Sequence, residues 1–121
     1  MASDLLSGRH VLVVEDEMMI LFVIEDMLSD LGCNAVATAA SVEQALVLVE
    51  QRSFDAAILD LNLHGRRSYP IADALAAKGV PFIFATGYGD HGLADDYRDR
   101  VVLAKPFGFE DFSAAIAGLV G

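Results

Sequence analysis

Basic residues are scarce: eight Lys plus Arg stand against eighteen Asp plus Glu, a formal charge of −10. Apart from Arg66-Arg67 they are scattered. That argues against a nucleic-acid surface, because phosphate binding draws on clustered Lys and Arg. A DNA target would have to be reached through a partner. Cysteine is nearly missing, and Cys33 alone excludes a disulfide framework or a thiolate metal cluster and fits a reducing cytosol. No apolar run approaches the ~20 residues of a membrane-spanning helix, and the opening MASDLLSGR is too polar and short for a signal peptide. The expectation is a soluble, cytoplasmic chain with no membrane partner. What is plentiful is apolar side chain: 55% of 121 residues, enough to bury one core without staples.

Apolar runs alternate with amphipathic ones. His10 to Val14 reads as a short buried strand, followed by acids and a helix from about Glu17 to Leu31 that Gly32 ends. Ala35 to Ala39 is a second strand; Ser41, with Gln44 three residues on, opens a helix through about Arg52. Ala56 to Leu59 is a third strand ending on Asp60. The loop LNLHGRRSY then leads into a helix with Pro70 in its first turn and Gly79 beyond its end. Val80 to Ala85 and Val101 to Ala104 are the fourth and fifth strands, and Phe109 to Leu119 a closing helix. Between them, His91 to Arg100 is acidic and only weakly helical. Five apolar strands alternating with helices imply a doubly wound α/β fold, its parallel sheet covered on both faces. Right-handed crossovers favour the flavodoxin-like order 2-1-3-4-5, with a site beyond the carboxyl ends of the strands.

Those ends carry Glu15 and Asp16, Asp60, Thr86, and Lys105. Singly, each has a plain explanation, since Glu15-Asp16-Glu17 suits a helix N-terminus and Thr before Gly is a turn residue. Together they put three carboxylates, a hydroxyl and an ammonium in one cleft. Crowded carboxylates stay charged only with a cation among them, and hard oxygen ligands with open positions suit Mg²⁺. A carboxylate beside such a metal can attack phosphorus, with positioned cations and donors stabilising the transition state. Asp60 is the natural nucleophile, and the product is an aspartyl phosphate.

VLVVEDE, ILDLN, FATGYG and LAKPF, in that order, closely resemble the receiver domain of two-component response regulators, across essentially the whole chain. The resemblance implies a phosphoacceptor at Asp60, a direct metal-binding acid at Asp16 and its water-mediated partner at Glu15. It further implies a backbone carbonyl for the metal at Asn62, a switch hydroxyl at Thr86, a phosphate-binding Lys105 and a cis peptide before Pro106. The donor would be a sensor histidine kinase or a histidine phosphotransfer protein. As a protein that catalyses only its own phosphorylation and dephosphorylation, it would not be an enzyme in the ordinary sense.

The chain also departs from the common receiver pattern. Glu15 stands where most carry Asp. After the phosphoacceptor most have a Met-Pro turn and a Gly, whereas here the loop runs Leu61-Asn62-Leu63-His64-Gly65-Arg66-Arg67, and the paired arginines either attract a phosphoryl donor or form a solvated loop. Val102 replaces the strand 5 aromatic that swings inward on activation, and FATGYG resembles the mainly alphaproteobacterial FAT GUY group, which lacks that ring. Tyr88 is the candidate substitute reporter; the plain alternative is a half-buried loop aromatic. MMILFVI, Met18 to Ile24, is apolar around two turns. It either docks a kinase helix or a second copy of the chain, giving a homodimer, or packs tightly on the closing helix. His10, His64 and His91 lack ligand spacing and read as solvated or structural.

The reading is a single receiver domain over residues 1–121, with a core of about 9–120 and no output domain, acting through a downstream partner or as a phosphoryl relay. A receiver excised from a hybrid histidine kinase is the alternative. A haloacid-dehalogenase-like phosphatase would need a second Asp where Asn62 sits. An interaction-only pseudo-receiver would not need the intact set of acids, Thr86 and Lys105. A flavodoxin would carry a phosphate loop where Glu15 and Asp16 stand.

Overall fold

A computed structural model describes residues 5–87 and 101–120. The elements run β1 (His10–Val14), α1 (Met18–Asp30), β2 (Ala35–Ala39), α2 (Val42–Gln51), β3 (Ala56–Asp60), β4 (Asn62–Leu63), β5 (Arg66–Arg67), α3 (Tyr69–Ala77), β6 (Phe82–Thr86), β7 (Val102–Ala104) and α4 (Phe109–Val120). The five longer strands make one parallel sheet in the order β2-β1-β3-β6-β7. With the small β4–β5 hairpin set aside, this is the flavodoxin-like order 2-1-3-4-5. The span 91–100, read from sequence as weakly helical, and the candidate reporter Tyr88 lie outside the described residues.

The helix boundaries follow local chemistry. Ser41 Oγ accepts the Gln44 N–H at 3.2 Å, while Gln44 Oε1 accepts the Ala40 N–H at 2.9 Å, so two orphan donors at the start of α2 are satisfied. Gly32 takes φ 86° just past α1 and Gly79 takes φ 72° past α3, conformations that cost a residue with a Cβ.

Alternate strand residues feed two cores. Leu12, Val14, Ala57, Leu59, Phe82 and Phe84 pack under α2 and α3. Val11, Val13, Ile58, Ile83 and Leu103 pack under α1 and α4, against Leu21, Ile24, Leu28, Phe112 and Ile116. Both faces of β3 and β6 are thus covered and every residue of each is buried, which is why they read as continuous apolar runs.

The second core begins earlier than expected. Leu6, which precedes the expected core of about 9–120, is fully buried, and its N–H donates to Leu31 O at 2.9 Å. α1 also decides between the two readings of its apolar run. Leu21, Ile24 and Leu28 face the core, while Met18, Met19, Phe22 and Val23 are 60, 79, 58 and 48% exposed. The run supplies a core stripe and, beside it, an uncovered apolar face.

Candidate functional site

The carboxyl ends of β1 and β3 adjoin in the sheet, and each delivers acids to the same place. Glu15 continues the β1 ladder through its N–H to Ala39 O at 3.0 Å, and Asp16 follows. Asp60 closes β3. One oxygen from each of Glu15, Asp16 and Asp60 lies within 4.8 Å of the others. Glu15 and Asp60 are buried, and Asp16 is half-buried.

Each acid is held by main chain or by cation. Glu15 Oε2 accepts the Glu17 N–H at 3.2 Å, Asp16 Oδ2 the His64 N–H at 3.1 Å, and Asp60 Oδ1 the Asn62 N–H at 3.1 Å. Lys105 comes from the far edge of the sheet, where its N–H donates to Thr86 O at 2.8 Å. Its Nζ reaches Glu15 Oε1 at 2.8 Å and Asp60 Oδ2 at 3.2 Å. The Lys105–Pro106 peptide is cis.

The electrostatics follow from burial and like charge. Burial, and then Glu15, push the Asp60 carboxyl up to about 7, against the opposing pull of Lys105 and the Asn62 N–H. Burial also raises Asp16, but the His64 N–H and its side-chain hydrogen bonds outweigh that and leave it lowered. Burial lowers Lys105, yet the two carboxylates it touches more than offset this and raise it. One ammonium is shared between two buried acids while a third stands nearby. An all-oxygen cluster short of positive charge is the donor set that a hard divalent cation fits.

Asp16, Glu17, Asp60, Asn62, His64, Gly65, Gly87 and Lys105 line a cleft of about 310 Å³ over the acids. Five of the residues singled out from sequence, Glu15, Asp16, Asp60, Asn62 and Lys105, are therefore brought together. Thr86 ends β6 buried, and the next residue, Gly87, lines the cleft.

The main surprise is the loop after β3. Read as irregular, it is a two-residue hairpin: Asn62 pairs with Arg67 and Leu63 with Arg66, around His64 and Gly65 at φ 51° and 84°. Both positive angles have the sign pattern of a type I′ turn. His-Gly is a weaker turn signal than Asn-Gly, which is why the sequence hid it. The hairpin is pinned by Gly65 N–H to Asn62 Oδ1 at 2.8 Å and by an Arg66–Glu43 ion pair. Arg66 thus holds the loop to α2, and His64, read from sequence as solvated or structural, sits on Asp16.

A second cleft of about 420 Å³ adjoins the first. Met19, Ile20, Val23, Pro106 and Phe107 make it apolar, and it shares Glu17, Gly87 and Lys105 with the acidic cleft. No helix among the described residues is long and apolar enough to cross a membrane.

The sequence model of the response regulator receiver domain matches residues 11–117. Among solved structures, the solution structure of SdrG from Sphingomonas melonis Fr1 is 44% identical. It matches 97% of this chain and 98% of its own, with a TM-score of 0.85. A BeF3-activated SdrG structure is 43% identical, with full coverage of both chains and a TM-score of 0.80. The receiver of the Pseudomonas aeruginosa sensor histidine kinase PA1611, solved with magnesium in its active-site cleft, is 28% identical. It matches 95% of this chain and 99% of its own, at a TM-score of 0.79. The transcriptional regulatory protein PdtaR of Mycobacterium tuberculosis is 30% identical over 94% of this chain and 58% of its own. The chain therefore spans somewhat over half the length of that relative.

Proposed function

The chain belongs to the response regulator receiver domain family of two-component systems, and from that premise we propose that Asp60 is its phosphoacceptor, phosphorylated with Mg²⁺ by a phosphohistidine donor. The observation that carries the reading is the placement of Lys105 Nζ, 3.2 Å from Asp60 Oδ2 and 2.8 Å from Glu15 Oε1, on the floor of a cleft rimmed by acids. The magnesium in the PA1611 receiver and the BeF3-activated form of SdrG support the same chemistry.

A carboxylate oxygen of Asp60 attacks phosphorus. The new O–P bond forms as the P–N bond to the donor imidazole breaks, and its electron pair stays on that nitrogen. The Asn62 N–H on Oδ1 orients the carboxylate for attack. Lys105 neutralises charge gathering on the phosphoryl oxygens, its ammonium already lying against Asp60. Asp16, Asp60 and the Asn62 carbonyl would hold Mg²⁺, with Glu15 acting through water; the ion, when bound, supplies positive charge to the phosphoryl oxygens. Thr86, ending β6 on the neighbouring strand, gives the hydroxyl that senses the modified Asp60 and passes the change into the loop that follows β6. Catalysis is confined to the chain's own phosphorylation and hydrolysis, so it is a signalling module.

The donor is a sensor histidine kinase or histidine phosphotransfer protein that docks on the exposed face of α1. The apolar cleft of Met19, Ile20, Val23 and Phe107 is continuous with the acidic one through Glu17, Gly87 and Lys105. A helix seated there would hold its phosphohistidine over Asp60.

The deciding experiment is Mg²⁺-dependent labelling by a small phosphodonor, compared with Asp60→Asn. Labelling of wild type alone supports the assignment; equal labelling of both overturns it.

A further inference from the structure

Ser68 is fully buried, yet among the described residues its Oγ has no hydrogen-bond partner. A buried hydroxyl without a partner costs stability, so such a group calls for a reason. Ser68 stands just before α3 at φ −85° and ψ 14°, and its side chain caps nothing. Ser41 before α2 is the contrast: it is extended, at φ −144° and ψ 164°, and its Oγ accepts the Gln44 N–H. At Ser68 the carbonyl takes that load, accepting the Ile71 N–H at 3.0 Å and the Ala72 N–H at 3.1 Å. Pro70 has no N–H to offer, so Ile71 is the donor that a Ser68 side-chain cap would use.

The same residue is joined to the site through main chain. Its N–H donates to Leu61 O at 3.0 Å, and the Leu61 N–H donates to Ala85 O at 2.9 Å. Leu61 follows Asp60 and Ala85 precedes Thr86, so one joint meets both neighbours of the cleft. The next side chain, Tyr69, sets its ring edge-on against Phe84 with centroids 6.0 Å apart, and Phe84 does the same to Phe82 at 5.5 Å. Phe84 and Thr86 are two apart on β6 and therefore face the same side of the sheet. On β7 the partner of Phe84 is Val102, which brings no ring.

We propose that Ser68 and Tyr69 form a relay that carries the state of Asp60 into α3, a route beside that of Thr86. This rests on the reading of Asp60 as phosphoacceptor. In the unmodified chain the Ser68 hydroxyl is idle and the first turn of α3 hangs on its carbonyl. A phosphoryl group on Asp60 draws Leu61 with it, and the bond from Ser68 to Leu61 passes the pull on. Ser68 then goes over to the extended cap form, in which Oγ takes the Ile71 N–H while the carbonyl keeps Ala72. The two forms compete for a single donor, which makes the helix start a two-state element. The capped form is favoured by the hydrogen bond that the buried hydroxyl otherwise lacks. Because Tyr69 follows directly, turning Ser68 moves its half-buried ring against Phe84 and alters the surface at the start of α3.

The test uses the full chain, with beryllium fluoride and Mg²⁺ as the phosphoryl probe. In wild-type NMR spectra the probe should shift the amide resonances of Ser68 and Ile71 and the ring resonances of Tyr69, together with the Asn62 amide that sits on Asp60. Ser68→Ala takes away the idle hydroxyl, so the unmodified variant should unfold in denaturant at a midpoint no lower than that of wild type. The same variant should bind beryllium fluoride about fivefold more weakly, the usual worth of a side-chain cap, and show a smaller Tyr69 shift. Two results overturn the relay. One is a wild type in which Asn62 responds while Ser68, Ile71 and Tyr69 do not, a measurement that needs no variant. The other is a Ser68→Ala midpoint that falls in the unmodified chain with unchanged beryllium fluoride affinity, which would leave Ser68 a structural residue only. A wild type in which even Asn62 is silent fails the phosphoacceptor reading itself and is told apart by that silence.

Discussion

Lys105 Nζ lies 2.8 Å from Glu15 Oε1 and only slightly farther, 3.2 Å, from Asp60, so a single ammonium bridges the first and third strands of the sheet. Lys105 is mostly buried, and both acids are almost wholly so. Truncating it would leave two buried carboxylates without a cation. Lys105→Ala is expected to lower unfolding free energy by about 2–3 kcal/mol in chelator at low salt, below the full cost of a broken buried pair because Asp60 can take up a proton. Chemical denaturation measures this; a loss under about 0.5 kcal/mol, typical of an exposed pair, would show the bridge to be incidental.

Asp60→Asn removes one of the crowded charges with little change of shape. In chelator the variant is expected to be more stable than wild type by about 1–3 kcal/mol at pH 8, on a scale where one pKa unit is about 1.4 kcal/mol. The sign follows from linkage: a carboxyl raised to about 7 in the folded state from about 3.9 unfolded keeps its stabilising contribution at low pH. That contribution is lost as pH rises through 7. The advantage of Asp60→Asn should therefore shrink toward pH 5, and added Mg²⁺ should stabilise wild type more than the variant. Thermal unfolding at the two pH values, with and without Mg²⁺, gives the comparison, and an advantage independent of pH would contradict it.

Phe22 is 58% exposed on the uncovered face of α1. Phe22→Asp should leave stability within about 0.5 kcal/mol and labelling by a small phosphodonor unchanged. Transfer from a phosphorylated histidine phosphotransfer protein should slow by about tenfold or more, as loss of an interface anchor does. Slowing of both reactions alike would place the defect in the cleft rather than in docking. A change of oligomeric state instead would assign the face to a second copy of the chain.

Leu6 is fully buried against the core beneath α1 and joined to Leu31 O by its N–H. Leu6→Ala should cost about 2–4 kcal/mol, as deletion of a buried leucine does when the site cannot collapse. A cost under about 1 kcal/mol in denaturant unfolding would mean that the segment adds little to the core.

Much of this fold is legible in the amino-acid sequence, because the relevant signals are local. Strands buried on both faces read as short apolar runs, and helix limits show in Ser41 with Gln44, Gly32 and Gly79. Right-handed crossovers then leave few sheet orders, so the placement of Asp16, Asp60, Thr86 and Lys105 at one edge follows from topology. Other features are hidden in the sequence because they depend on what meets across space. The burial of Leu6 requires the end of α1 beside it. The splitting of Met18 to Ile24 into a core stripe and an exposed face depends on where α4 and the strands press against the helix.

The residue types and their order along the chain determined that carboxylates, a hydroxyl and an ammonium would gather at the strand ends, since period, caps and crossover handedness all act over short stretches. Only the tertiary structure decided how those groups divide their charge. Lys105 settles between Glu15 and Asp60, and His64 reaches Asp16 through a hairpin, because pair distances fall out of the packing of β1, β3 and β7 and the fastening of one loop, and no local pattern encodes a distance across 48 residues.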